Sequence, residues 1–268
     1  MRWPIPLSHR QSLGRLSYGM SLLRKESSDI MRKRIGTSHR ENLLGSQAEI
    51  LGKKKEGGMG LNHKDERATH EIYWESLVKA EPDEVCRRTG ASYSQDRKGY
   101  LLPILNQKYL IQPEEKRILC MRGDLCEEET LRDYFFLMVL LYLLNGQEED
   151  PTHTWVSEKE IKGGTTFFRG PHSLRTEELK ETFRRDPEGF LQVGKRLGGV
   201  ELLFGDKAFA LTVFPRVPLA YLLWKESEEF PAQVNVLFDS TIQKHFSLDG
   251  VWCVVAEVSQ RLLEARKR

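Results

Sequence analysis

The sequence predicts an α+β fold with a mostly antiparallel sheet, a central buried helix and a C-terminal amphipathic helix. Three observations carry this. Short β-rich runs, separated by Gly, Asn and Asp turns, recur at hairpin spacing. Residues 135–144 form an unbroken apolar run of ten. That length suits a buried core helix, since a membrane-spanning one needs about 20 residues. Residues 247–265 place Val251, Val254, Val255, Val258 and Leu262 on one helical face.

Taken in order, the chain becomes patterned from residue 65. Ile72, Trp74, Leu77 and Val78 lie near helical spacing. Pro82 starts a second short helix to about Arg88, and Gly90 is placed to end it. Residues 93–105 read as a hairpin turning at Asp96-Arg97-Lys98-Gly99. A turn at Asn106-Gln107-Lys108 leads to a strand at Tyr109-Leu110-Ile111, and Arg117-Ile118-Leu119-Cys120 completes a small antiparallel meander. The strongest helix is expected over residues 127–144. Glu127, Glu128 and Glu129 would occupy its first turn, where the helix dipole favours acids. Leu131, Tyr134, Phe135, Met138, Leu141 and Tyr142 form its stripe, and Asn145-Gly146 stops it.

Trp155-Val156, a turn at Gly163-Gly164 and Phe167-Phe168 follow. Amphipathic helices are expected over residues 174–183, after Ser173, and over about 188–197, before Gly198-Gly199. Residues 201–204 and 208–214 make a hairpin around Gly205-Asp206-Lys207. Pro215 and Pro218 bracket a rigid corner, and residues 219–224 form an apolar strand. Ser247 caps the last helix.

The 268 residues are 39% hydrophobic, enough to form a core rather than a disordered chain. The net charge of +2 hides an asymmetry. Residues 1–58 carry 12 basic against 5 acidic side chains, and residues 59–268 carry 29 against 34. The first segment lacks a sustained period and reads as a disordered basic leader. Three readings compete for it: an organellar targeting peptide, a phosphate-contacting arm using Arg32-Lys33-Arg34 and Lys53-Lys54-Lys55, or a start assigned too far upstream, the true start being Met59. The third is preferred, because purine-rich codons for residues 53–58 would resemble a ribosome-binding site. On that reading residues 59–268 are a single domain. Its net acidic charge gives a nucleic-acid partner no support. Four cysteines are too few for a disulfide scaffold. With no membrane span and no secretory apolar region, a cytoplasmic location is expected.

No Walker loop, Gly-x-Ser-x-Gly elbow or His-Glu-x-x-His pair occurs. Residues 194–199 contain glycines, but as a helix stop. Cys120 and Cys126 form no Cys-x-x-Cys pair, and Cys253 reads as a small core hydrophobe. No metal set is expected. His245 lies near Asp239 and Asp249 in sequence, which could tune it. The block of residues 214–239 stands out. Prolines fix Arg216, and Glu226, Glu228 and Glu229 follow a buried strand. Phe230-Pro231 locks the exit, and Phe238 leads to Asp239. A fixed cation facing carboxylates is either a structural ion-pair network or a ligand site.

Within this block the chain resembles the DUF3786 family, a domain of unknown function in anaerobic bacteria and archaea. The resemblance spans roughly residues 73–263. It rests on Gly205-Asp206 before a strand, Phe214-Pro215-Arg216-Val217-Pro218, Glu228-Glu229-Phe230-Pro231-Ala232 and Leu237-Phe238-Asp239. Ser227 stands where the family pattern has an acid before the paired glutamates, which weakens any third-carboxylate metal site. Family members are sometimes fused to an iron–sulfur domain like that of corrinoid methyl-transfer proteins, and this chain lacks that four-cysteine motif. The resemblance implies an accessory or binding domain with an iron–sulfur or corrinoid partner. The alternatives are an enzyme using Glu228, Glu229 and Asp239, or nucleic-acid binding through the basic arm. Neither a catalytic residue nor a cofactor is specified.

Overall fold

The computed structural model describes residues 63–128 and 131–267. The leader of residues 1–58 and the start at Met59 lie outside the described residues. Everything described falls in the compact unit Leu51–Arg268. Eight α-helices and two five-stranded antiparallel sheets are present among the described residues, so the fold is α+β.

Helix α1 (His63–Val78) leads into α2 (Pro82–Thr89). In α2, Pro82 supplies the fixed φ of the first turn, Asp83 and Glu84 sit at the positive dipole end, and Arg87 and Arg88 at the negative end. Gly90 ends it in the left-handed region, and a Cβ there would lie 2.9 Å from Pro215. Strands β1 (Ser92–Ser94), β2 (Gly99–Ile104), β3 (Gln107–Gln112), β4 (Arg117–Arg122) and β5 (Leu125–Glu128) then form the first sheet as a simple meander.

Strand β5 corrects the expected helix start. Gly123, with a positive φ, turns the chain back so that Cys126 pairs with Met121 and Glu127 with Cys120. Glu127 and Glu128 are therefore exposed edge-strand residues, and charge on an edge blunts strand addition. Their acidic run imitates the first turn of a helix. The helix α3 (Asp133–Asn145) begins five residues after Glu128. It is wrapped on all sides, with Phe135 and every residue from 137 to 143 buried. Trp74 of α1 meets Phe136 edge-on at 5.7 Å.

After β6 (Trp155–Val156), Gly164 opens a one-turn helix α4 (Gly164–Phe167) where a turn was expected. Helix α5 (Glu177–Phe183) starts three residues later than expected, because Ser173 closes a 3₁₀ turn over Gly170–His172 through its hydroxyl bond to the Gly170 carbonyl. Helix α6 (Pro187–Arg196) is capped by the Asp186 carboxylate, which accepts from the Gly189 N–H at 2.8 Å.

Strands β7 (Val200–Leu202), β8 (Lys207–Phe214), β9 (Val217–Trp224) and β10 (Gln233–Asp239) build the second sheet in the order β6-β10-β9-β8-β7. Pro218 lies inside β9 rather than outside it. It pairs with Thr212 where the β8–β9 register shifts, and a bulge tolerates a residue that cannot donate. One sheet face carries Phe209, Leu211, Leu219, Tyr221, Val236 and Phe238, all buried. Against it pack α6 and α8 (Leu248–Arg266). A Cβ on Gly194 of α6 would lie 2.5 Å from the Phe209 ring, so only glycine lets that helix approach so closely. Tyr221 hydroxyl donates to the Val255 carbonyl of α8 at 3.3 Å. Ser247 caps α8 by accepting from the Gly250 N–H, and the five expected core positions of that helix are all buried. Helix α7 (Ile242–His245) precedes it. The two sheets meet where the Leu105 N–H donates to the Val213 carbonyl at 3.0 Å.

Candidate functional site

The polar groups gather at one end of the β9–β10 hairpin, around the ring of Tyr142 in the last turns of α3. Pro215 and Arg216 form the two-residue β8–β9 turn, with Phe214 paired to Val217. Pro215 rests on Gly90. The Arg216 N–H donates to the Tyr142 hydroxyl at 3.3 Å, and that hydroxyl donates to the Thr89 carbonyl at 2.8 Å. Burial pushes the Tyr142 phenol up, so it stays protonated and keeps donating. The Arg216 guanidinium pairs with Asp150 through Nη1 and donates from Nη2 to the Arg87 carbonyl at 3.2 Å. The Arg216 side chain is only 15% exposed, whereas Asp150 is 89% exposed. Arg88 donates to the Gly146 and Leu143 carbonyls and so caps the C-terminus of α3.

Asp239 ends β10 and is 1% exposed. Its Oδ1 accepts from the N–H and hydroxyl of Thr241 at 3.0 and 2.8 Å, and from the N–H and hydroxyl of Thr152, both at 3.2 Å. Burial pushes this carboxyl up, but the donors of Thr241, Thr152 and His153 outweigh it, and the net shift is downward. Asp239 is thus ionised and satisfied, a brace for the segment that carries Asp150.

His245, 3% exposed, sits with its ring 6.0 Å from that of Tyr142. Burial first, then the Arg216 charge, pushes its pKa down to about 4; a backbone contact with Glu149 and the Asp239 charge only partly oppose this. The imidazole is therefore neutral at pH 7. Its Nδ1 accepts from the Gln147 N–H at 3.4 Å, which places the ring proton on Nε2. Because its folded pKa lies below its unfolded one, His245 contributes stability that is whole above about pH 6.5 and lost as pH falls toward about 4. Between pH 7 and about pH 4.5 this is worth about 2–3 kcal/mol. Urea titrations at the two pH values should show that the loss in the parent chain exceeds that in His245→Gln by this amount. Equal losses would place the imidazole in solvent.

Three buried side-chain nitrogens of the described residues have no hydrogen-bond partner: Asn145 Nδ2, Arg216 Nε and His245 Nε2. All three belong to this corner. Asn145 lies one helical turn beyond Tyr142, and its carbonyl accepts from Gln147 Nε2 at 2.6 Å.

The expected carboxylate cluster is elsewhere. Glu226, Glu228 and Glu229 follow the far end of β9, and strands of this length put that end roughly 20 Å from Arg216 and Asp239. Arg216 faces Asp150 instead of them. Glu226 pairs with Arg185 at 2.8 Å, which holds its carboxyl below the usual range. Glu228 and Glu229 are exposed. Phe230 is 68% exposed, and its N–H donates to the Ser227 hydroxyl in a local turn. Pro231 is exposed beside it. The Gly205-Asp206 pair braces this end. Gly205 has φ +58° and would carry a Cβ 2.8 Å from the Leu223 carbonyl, while Asp206 accepts from the Lys225 N–H at 2.9 Å. Phe238 is fully buried and stacks on Phe168.

Cys120 and Cys126 point to opposite faces of the first sheet, because Cys126 pairs with Met121, the strand neighbour of Cys120, and successive side chains alternate faces. No group of three or more His, Cys, Asp and Glu that could hold a metal occurs among the described residues.

These features define an antiparallel α+β domain with an enclosed polar corner. The chain belongs to the family described as domain of unknown function DUF3786, whose model matches residues 81–261. The match spans α2 through most of α8 and so includes the whole corner. Neither a curated protein nor a solved structure matches the sequence.

Proposed function

We propose that the chain is a non-catalytic accessory or binding domain whose ligand enters at the Arg216–Asp239–His245 corner. The observation that supports this is the gathering of every partnerless buried side-chain nitrogen among the described residues at that one place. A natural protein rarely leaves such groups unsatisfied unless a ligand or function uses them. The partner class in this reading is an iron–sulfur or corrinoid protein, or its tetrapyrrole-like cofactor, in the cytoplasm of an anaerobic prokaryote. No helix of the described residues is long and apolar enough to cross a membrane. An acid–base reading built on Glu228, Glu229 and Asp239 would need groups within about 3 Å of one reacting atom, and the hairpin holds them at opposite ends. Binding through the basic arm rests on residues outside those described. The test is uptake of corrinoid or haem by the purified full chain, read by absorbance and by thermal shift. A coloured complex weakened by Arg216→Gln is expected. No absorbance change and no shift with either ligand or with iron–sulfur partners would reject it.

A further inference from the structure

We infer that the corner recognises a carboxylate on its ligand, and that Asp150 occupies the carboxylate position when no ligand is bound. This rests on the binding reading above and names the chemistry recognised there.

The donor set comes first. Arg216 Nε–H and the Asn145 amide are donors under all conditions, and the neutral His245 donates from Nε2. Three buried N–H groups from three separate elements call for oxygen acceptors. The charge balance selects among these. Arg216 is the cation of the corner, and Asp239 is an anion whose Oδ1 already takes four hydrogen bonds from Thr152 and Thr241. Arg87 is engaged with Glu84 and Glu148, and Arg88 with Glu84 and two carbonyls. A dianionic phosphate would meet one available guanidinium beside a fixed carboxylate. A monoanionic carboxylate taking the place of Asp150 leaves the charge facing Arg216 unchanged.

Asp150 is built for such an exchange. Its partner is largely buried but it is 89% exposed itself, so it can swing into water at little cost while Arg216 stays seated. Arg216 is held by its own backbone bond to Tyr142 and by the Arg87 carbonyl, neither of which the exchange disturbs. The planar guanidinium then offers the freed Nη1–H and the second Nη2–H end-on to one carboxylate, a bidentate match that a lysine could not make, while Nε–H lies on the edge beside Nη2.

The experiment titrates the full chain with sodium propionate, with succinate and with inorganic phosphate, read by NMR shifts at constant ionic strength. Asp150→Asn removes the competing anion on an exposed loop and so preserves the fold. It should tighten propionate binding by roughly tenfold, by analogy with losing one ion-pair competitor. Arg216→Lys keeps the charge but not the fork, and should lose most of that affinity. Unchanged or weaker propionate binding in Asp150→Asn would overturn the inference, as would tighter binding of phosphate than of either carboxylate. Corrinoid or haem uptake that ignores Asp150→Asn would also overturn it and leave the binding reading standing. Propionate binding strengthened by Asp150→Asn without uptake of either coloured ligand would support the inference and remove only the tetrapyrrole assignment.

Discussion

Replacing Glu257 with Ala is expected to cost the fold about 3–5 kcal/mol, the range for stripping one partner from a buried ion pair. Glu257 lies in the middle of α8 and is 1% exposed. Its Oε1 accepts from Arg261 Nε at 2.7 Å and its Oε2 from Arg132 Nη1 at 2.8 Å. Arg261 is itself only 12% exposed, donates onward to the Tyr109 hydroxyl of β3, and lies over the Phe135 ring. The network thus ties the C-terminal helix to the start of α3 and to the first sheet. Without Glu257 the Arg261 charge stays buried and loses the carboxylate that accepts from its Nε, while Arg132 keeps Glu264. Urea denaturation reads the loss. Removing both charges, as Glu257→Leu with Arg261→Met, should recover much of it, because an apolar pair carries no desolvation cost. A single-variant loss under about 1 kcal/mol would mean that water reaches the pair.

The second large effect is expected at Asp239. Asp239→Ala leaves the N–H groups of Thr152 and Thr241 without an acceptor in the interior. Hydrogen bonds to a charged group are worth about 1.5–3 kcal/mol each, and the two threonine hydroxyls can partly rotate away, so a net loss of about 3–5 kcal/mol is expected. Asp239→Asn keeps an acceptor oxygen and should lose about half as much. The sign with pH is fixed by the direction of the shift. A carboxyl held below its ordinary value contributes stability above the unfolded pKa of about 3.9, and that stability is lost as pH falls through the folded value. The stability gap between the parent chain and Asp239→Ala, read by denaturant titration, should therefore narrow between about pH 6 and about pH 3. Loss at Asp239 also releases Thr152, two residues from Asp150, so Arg216 should lose its surface partner in the same variant.

The secondary elements were largely legible in the sequence because each has a local cause. Gly90, Ser247 and the Gly198-Gly199 stop announce helix ends, and the Pro215–Pro218 corner announces the β8–β9 turn. Residues 127–129 misled because three glutamates suit a helix start and an edge strand equally well, and pairing to β4 decided between them. Arg216, Asp239 and His245 were legible as candidate chemistry, since prolines and buried-strand flanks single out the first two and nearby Asp239 and Asp249 the third. Their true partners were not. Asp150 and Tyr142 reach Arg216, and Gln147 reaches His245, across 66 to 98 residues of sequence, and no spacing rule links them. The Glu226–Glu229 cluster looked adjacent to Arg216 because the chain is short there, yet an extended strand carries it to the opposite end of the sheet. Glu257 had a readable signal: a charged residue inside an apolar helical stripe with Arg261 four positions on.

The most direct test is a map of amide and side-chain NMR shifts on the full chain as propionate is added. Perturbations should centre on Asn145, Asp150, Arg216 and His245 and spare Glu226, Glu228 and Phe230. Perturbations confined to the Glu226–Phe230 end, with Arg216 and His245 silent, would contradict the placement of the site.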